Sequence, residues 1–156
     1  MEAIKTKQLT IVDEQGEPRI VMAMRGDTPV IGIGSGQMVM TFQASEDTAS
    51  IRVINGKTPR LQIAATADAA AMNFLNEKGE SAVNLASKAD TGNTLELFNA
   101  KGKIRLGLVA NDDVSAAFSV FNPNGQLGAR LGSQPKGGFK LTFHDANGKP
   151  ISLIPE

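Results

Sequence analysis

Residues 95–108 read LELFNAKGKIRLGL, in which two alternating apolar stretches flank the tetrapeptide 99–102. Alternation with a period of two places the apolar side chains on one face of an extended strand. Asn99 at the start of the tetrapeptide and Gly102 at its end are typical of a type I turn that closes in a left-handed residue. This stretch therefore predicts a β-hairpin with one apolar face.

The tetrapeptide recurs along the chain. Asn or Asp opens each copy and Gly closes it, and the copies are residues 13–16, 76–79, 99–102, 122–125 and 145–148. The last four closing glycines are 23 residues apart. A fixed interval of this length indicates a repeated supersecondary unit. We therefore predict a single repetitive β domain over residues 1–156, an all-β antiparallel meander of hairpins about 23 residues long.

Apolar residues also stand at fixed distances from the closing glycines. Seven and five residues before them are Leu9 and Ile11, Met72 and Phe74, Leu95 and Leu97, Phe118 and Val120, and Leu141 and Phe143. Four and six residues after them are Ile20 and Met22, Val83 and Leu85, Leu106 and Leu108, and Ala129 and Leu131. The spacing is two residues on both sides of each turn, and the step to the next repeat is ten residues, as from Leu108 to Phe118, so these side chains are expected on one shared face. After Gly148 the pattern comes one position early, at Ile151 and Leu153, which predicts either a lost residue or a bulged turn.

The repeat is degenerate between residues 26 and 65. Met38, Met40 and Phe42 still alternate there, and Asn55-Gly56 is a strong hairpin signal. At this spacing the whole chain is expected to hold about 13 strands. The alanine-rich segment 64–72 is interpreted as a loop, and the methionines that follow the first residue are interpreted as filler on the apolar face.

A narrow stripe of larger side chains is predicted on the opposite, more polar face. Four residues before the closing glycines stand Val12, Leu75, Phe98, Phe121 and His144, and three residues after two of them stand Arg19 and Arg105. One interpretation is a local cap over the turns, with arginine stems lying on phenylalanine rings. The other is a contact line for another chain or another edge of the same chain. On that hypothesis the interface residues are Leu75, Phe98, Phe121, His144, Arg19 and Arg105.

The composition excludes several classes of function. Sixteen basic and 16 acidic residues give zero net charge, which disfavours binding to nucleic acid or to an anionic membrane. There is no Cys and only one His, so thiolate and multi-histidine metal sites cannot be built. His144 occupies the position that Phe98 and Phe121 occupy in other repeats, which predicts a structural role. We expect no enzyme activity, no cofactor and no metal, although Ca²⁺ binding at Glu46-Asp47 or at 112–113 is left open.

The N-terminal stretch 1–16 has no apolar signal-peptide core. This favours a chain that stays in the cytoplasm or is released by lysis, as a virion protein is. The sequence identifies neither the host compartment nor an external ligand.

The phrases LELFNAKGKIRLGL at 95–108 and KLTFHDANGKPISL at 140–153 resemble short bacterial and phage-associated hairpin repeats of the form F-x-D/N-x-x-G-x-x-R. They are also distantly similar to the YD-type repeats of toxin-encapsulating shells, although this chain has no Tyr. The resemblance implies a repetitive, self-assembling scaffold such as a fibre, shell or stalk. It implies no catalytic residue.

A meander of this length has to cover its apolar face. We expect it to pack against copies of itself, with a homotrimeric β-prism or a fibre-like assembly favoured. The alternative is a single-chain sandwich, barrel or solenoid that binds a ligand or a carbohydrate. The loops that would bind it are residues 44–50, 65–70, 88–93, 110–116 and 132–138. An enzyme of unrecognised type is the third hypothesis.

Overall fold

A computed structural model describes residues 6–90, 92–111, 116–133 and 137–151. All regular structure in these ranges is β-strand, as the sequence predicts. A helix with the length and hydropathy needed to span a bilayer is accordingly absent from the described ranges. The acidic pair at 112–113 and Leu153 lie outside the described residues, so the expectations for them stay open.

The chain divides into two compact units, one ending at Gly79 and the other beginning at Glu80. The first unit has seven strands: β1 (Gln8–Val12), β2 (Pro18–Arg25), β3 (Thr28–Ser35), β4 (Met38–Ala44), β5 (Ala49–Asn55), β6 (Thr58–Ala65) and β7 (Ala69–Leu75). Each strand pairs antiparallel with the next in chain order. This unit is therefore an antiparallel meander.

The second unit follows the same plan. Its strands are β8 (Ser81–Lys88), β9 (Gly92–Phe98), β10 (Ile104–Ala110), β11 (Ala116–Phe121), β12 (Leu127–Ser133), β13 (Phe139–His144) and β14 (Pro150–Ile151). Consecutive strands again pair antiparallel. The predicted all-β antiparallel meander is confirmed for each unit.

The repeated tetrapeptide forms the predicted turn. In the copy at 99–102, the Gly102 N–H donates to the Asn99 carbonyl at 2.9 Å, and Gly102 has a φ of +69°. The Asn99 side-chain Oδ1 accepts the N–H groups of Lys101 and Lys103 at 2.9 and 3.0 Å. Asn or Asp is required because its short side chain reaches these donors, and Gly because other residues rarely adopt positive φ.

A β-bulge follows this turn. Phe98 pairs with Ile104 and Leu97 with Leu106, so Arg105 is the extra residue. The bulge restores the parity of the strand, because it returns Leu97 and Leu106 to the same face. The hairpins closed by Gly16 and Gly125 carry the same irregularity.

The last hairpin lacks that extra residue. His144 pairs with Pro150 and Phe143 with Ile151, with no bulge between them. Of the two explanations for the early pattern after Gly148, the lost residue is confirmed. The missing position is the one that Arg105 occupies in its hairpin.

The connections between strands in the first unit are shorter than the 23-residue repeat predicts. Gly26-Asp27, Gly36-Gln37 and Gly56-Lys57 are two-residue turns between paired strands. These glycines have φ of +58° to +61°, as the first central position of a type II′ turn requires. The shorter turns help to explain why the described residues form 14 strands and not about 13.

The interpretation of residues 64–72 as a loop is wrong for most of the segment. Strand β6 continues to Ala65 and β7 begins at Ala69, which leaves only residues 66–68 as the connection. Ala71 pairs with Ala64 and Met72 with Ile63. Alanine has a low strand propensity, but here cross-strand pairing decides the structure.

One face of each unit, hereafter the apolar face, presents rows of large apolar residues in register. In the first unit the rows are Ile20, Ile33, Met40, Val53, Leu61 and Phe74, and Met22, Ile31, Phe42, Ile51, Ile63 and Met72. In the second they are Val83, Leu97, Leu106, Val120, Ala129 and Phe143, and Leu85, Leu95, Leu108, Phe118, Leu131 and Leu141. The predicted single face is confirmed within each unit.

The opposite face, hereafter the polar face, carries a central row of polar and small residues. In the first unit it reads Val21, Gly32, Thr41, Arg52, Gln62 and Asn73. In the second it reads Asn84, Glu96, Gly107, Ser119, Arg130 and Thr142. The large apolar rows and this central polar row therefore lie on opposite faces of each unit.

Neither unit buries a conventional core. Among the described residues no large side chain is less than 2% exposed. The most buried side chains are small ones on the polar face, namely Val30, Ser50, Ala86 and Ala117 at 7–9% exposure. Leu85 on the apolar face is 51% exposed. The large hydrophobic residues lie where water reaches them.

Candidate interaction surfaces

The strands place no charged residue on the apolar face, which is also exposed. No Asp, Glu, Lys or Arg is paired in register on this face within the described strands. Lys7, just before β1, lies at the edge of the face, where its carbonyl accepts the Met24 N–H at 3.3 Å. Ile33 and Leu131 are each 44% exposed. Contiguous apolar surface of this kind usually marks a site of protein association.

The total surface of the chain shows how much more area it exposes than a globular protein of its mass. The chain exposes 11503 Å². A folded monomer of its 16.4 kDa exposes about 7500 Å², and two separate bodies of half that mass expose about 9100 Å². The chain therefore leaves at least roughly 2400 Å² more surface in water than globular units of its size. Obligate interfaces bury about 2000–5000 Å².

Shallow hollows lie on the apolar face of each unit. One of about 450 Å³ lies over β9 to β11, between Leu95, Leu108 and Phe118. Another of about 410 Å³ lies over β3 to β6 and includes Ile31 and Phe42 among its walls. Such hollows between rows of side chains can receive side chains from a facing sheet.

The stripe predicted from the sequence lies on the polar face, close to the turns. Phe98 pairs with Ile104 and Phe121 with Leu127. The Phe121 ring lies beside Gly107, with its Cε2 3.6 Å from where a Cβ would stand. The sequence reasoning missed Ile104 and Leu127 as members of the stripe. Their position two residues after a closing glycine could have identified them.

Arg105 links neighbouring strands. Its Nε donates to the Phe121 carbonyl at 2.9 Å, from the bulge of β10 to the end of β11. The turns beside it also touch, because the Asn99 side chain donates to the Pro123 carbonyl at 3.1 Å. These contacts give the stripe a role within its own unit. Its role as a contact line for another chain stays a prediction.

The other predicted stripe residues are distributed as follows. Arg19 pairs with Asp13 in its own hairpin and donates from Nη1 to the Ser35 hydroxyl at 2.9 Å. Leu75 is half-buried at the end of β7. His144 is half-buried beside Pro150, and its Nδ1 is shielded from solvent without a hydrogen-bond partner.

The hydrogen bonds of the first turn alter the acidity of Asp13. Its carboxylate accepts the Glu17 N–H, which lowers the pKa of Asp13 below its usual 3.8. Arg19 and the Gln15 N–H lower this pKa further, while desolvation opposes them. These contacts favour the charged form of Asp13 in the first turn.

Two polar groups that the sequence reasoning did not single out lie on the polar face of β5. The Ser50 hydroxyl and the Arg52 Nε are both shielded from solvent and lack a hydrogen-bond partner. Ser50 is 7% exposed. Within the described ranges, no three His, Asp or Glu side chains form a group that could hold a metal ion.

No family model and no curated protein matches the sequence. Solved structures with some similarity to this chain include a mutant of S. aureus TarM in complex with Fondaparinux, alpha-GlcNAc-glycerol and UDP. Its TM-score is 0.41, and it is 12% identical over 66% of this chain and 21% of the TarM chain. A further crystal structure of TarM has a TM-score of 0.41 and 12% identity over 67% of this chain and 21% of that one. The matched part of TarM is thus about a fifth of its length.

Proposed function

We propose that this chain is a non-enzymatic structural module that assembles with copies of itself through its apolar face. Three copies would form the walls of a β-prism, with the apolar faces inward and the polar faces outward. Fibre- or filament-like assemblies of bacteria or phages are the setting that suits such a module. The proposal rests above all on the exposure of the uncharged apolar face in both units.

Identical copies suit this face better than a foreign partner. Because no large side chain is fully buried among the residues that the structure describes, the chain gains little hydrophobic stabilisation alone, so folding and association are coupled. Copies of the same chain are present wherever the chain is made. Because the described strands place no charged residue on this face, like faces also meet without strong electrostatic repulsion.

The mass of the purified protein tests the proposal. Size-exclusion chromatography with light scattering is expected to give three times the 16.4 kDa of one chain. Electron micrographs are expected to show short rods instead of globules. A mass of two chains would retain self-assembly and overturn the prism. A strict monomer at micromolar concentration would overturn the proposal and favour the single-chain ligand-binding alternative.

A further inference from the structure

The polar face of β4 to β6 carries a second feature, which is independent of assembly. Ser50 and Arg52 are two residues apart on β5, so their side chains leave the same face of the strand about 7 Å apart. Ser50 pairs with Gln43, and Arg52 lies between Thr41 and Gln62. Ser50, Arg52 and their three neighbours on β4 and β6 therefore bring five side chains that can donate hydrogen bonds together on this face.

Two of these donors are shielded and unsatisfied. The Arg52 Nε and the Ser50 Oγ have neither solvent contact nor a hydrogen-bond partner. Buried polar groups in folded proteins are nearly always paired, so two neighbouring unpaired donors indicate a missing acceptor. Ser50 is 7% exposed, so its side chain is buried.

The charge of the surroundings favours an anion. The central row of the polar face contains no acidic residue in the first unit, and Arg52 is its one cation. In the second unit the corresponding row contains Glu96, whose carboxylate accepts a hydrogen bond from the Asn84 amide at 3.2 Å. The polar groups of that row are thus partly paired with one another, whereas Arg52 faces only neutral neighbours in its row.

We infer that Ser50 and Arg52 form a binding site for an oxyanion, a phosphate or carboxylate group of a free ion or of an acidic polymer. The guanidinium presents Nε and Nη donors in one plane, which matches two oxygens of such a group. The Ser50 hydroxyl, on the same face of β5, adds a third donor. Thr41, Gln43 and Gln62 supply neutral polar walls.

Isothermal titration calorimetry of the full chain at low ionic strength tests this site. Inorganic phosphate and polygalacturonate are the two probes, and binding of either one is expected. Binding of phosphate alone would identify the ligand as a compact ion. Binding of polygalacturonate alone would identify it as a carboxylate polymer. If neither probe binds, the site is overturned.

The variants Arg52→Gln and Ser50→Ala are each expected to weaken that binding about tenfold or more. Arg130→Gln is the matched control, because Arg130 lies in the corresponding row of the second unit, where its partners Ser119 and Thr142 are only half-buried. It is expected to retain full affinity. Equal weakening in Arg130→Gln, or unchanged affinity in Ser50→Ala, overturns the site. Circular dichroism and mass show whether each variant is folded. If Arg52→Gln does not fold, the affinity of Ser50→Ala alone tests the site.

Discussion

The two faces of the sheet differ in a way that reverses the usual distribution of side chains. On the apolar face Leu85 and Leu131 are large and exposed, at 51% and 44%. On the polar face Ala86 and Ala117 are small and buried, at 8% and 7%. A protein that folded alone would cover its large side chains first, because they contribute most hydrophobic free energy. This reversal is the observation that supports the proposed assembly through the apolar face.

The largest expected effect comes from a charge placed on the apolar face. Leu97→Asp is expected to abolish assembly and with it the folded state, because an unpaired carboxylate would be buried in the interface. Ser119→Asp is the matched change on the polar face, beside Arg130. It is expected to alter the free energy of unfolding by no more than about 0.5 kcal/mol. Mass by light scattering and urea unfolding followed by circular dichroism measure both effects.

Equal behaviour of the two aspartate variants would contradict the difference between the faces. If both assemble normally, the apolar face at Leu97 stays in water. If both fail, the polar face is also covered, and the outward orientation proposed for it is wrong.

A smaller effect is expected from the stripe near the turns. Phe98→Ser combined with Phe121→Ser removes two half-buried rings, each contributing about 1 kcal/mol. Because the Phe121 ring packs beside Gly107 of its own unit, we expect lower stability with an unchanged oligomeric mass. A fall in mass while the circular dichroism spectrum is retained would instead identify the stripe as a contact line between chains.

The turns and the apolar face could be predicted from the sequence because both depend on local order. The Asn99 turn is held by donors within four residues, and the alternation around it has a period of two. The position of the bulge could not be predicted in this way. Whether Arg105 or a neighbour is the extra residue depends on how β9 and β10 pair.

The candidate anion site could not be predicted from the sequence pattern, for a related reason. Ser50 and Arg52 are ordinary residues of a half-polar strand when read along the chain. Their importance comes from neighbours on β4 and β6 and from the lack of a partner for each donor. The number of copies was equally beyond reach, since a face that is apolar throughout fits two copies as well as three.

A still smaller effect, of opposite sign, tests whether the polar face is open. Gly107 has an ordinary strand conformation, and an added Cβ would meet only the Phe121 ring, at 3.6 Å. Gly107→Ala is therefore expected to stabilise the protein by about 0.5 kcal/mol, because alanine restricts the unfolded chain. Urea unfolding measures the change. Destabilisation by more than this amount would mean that another layer lies over Gly107.

The smallest effect concerns a charged group beside the polar face, at the first turn. Because the pKa of Asp13 is lowered below 3.8 in the folded chain, the stability that its charge contributes is present above that value and is lost as the pH falls through the folded pKa. Asp13→Asn keeps the oxygen that accepts the Gln15 and Glu17 N–H groups, as Asn99 does in its own turn, but removes the charge that faces Arg19. The urea midpoint of the variant is therefore expected to fall less than that of the parent chain between about pH 5 and pH 2. Glu14→Gln removes an equal charge from the same turn and serves as the control. If Glu14→Gln flattens the pH dependence as much as Asp13→Asn does, the effect belongs to the net charge of the turn and not to the hydrogen-bonded Asp13.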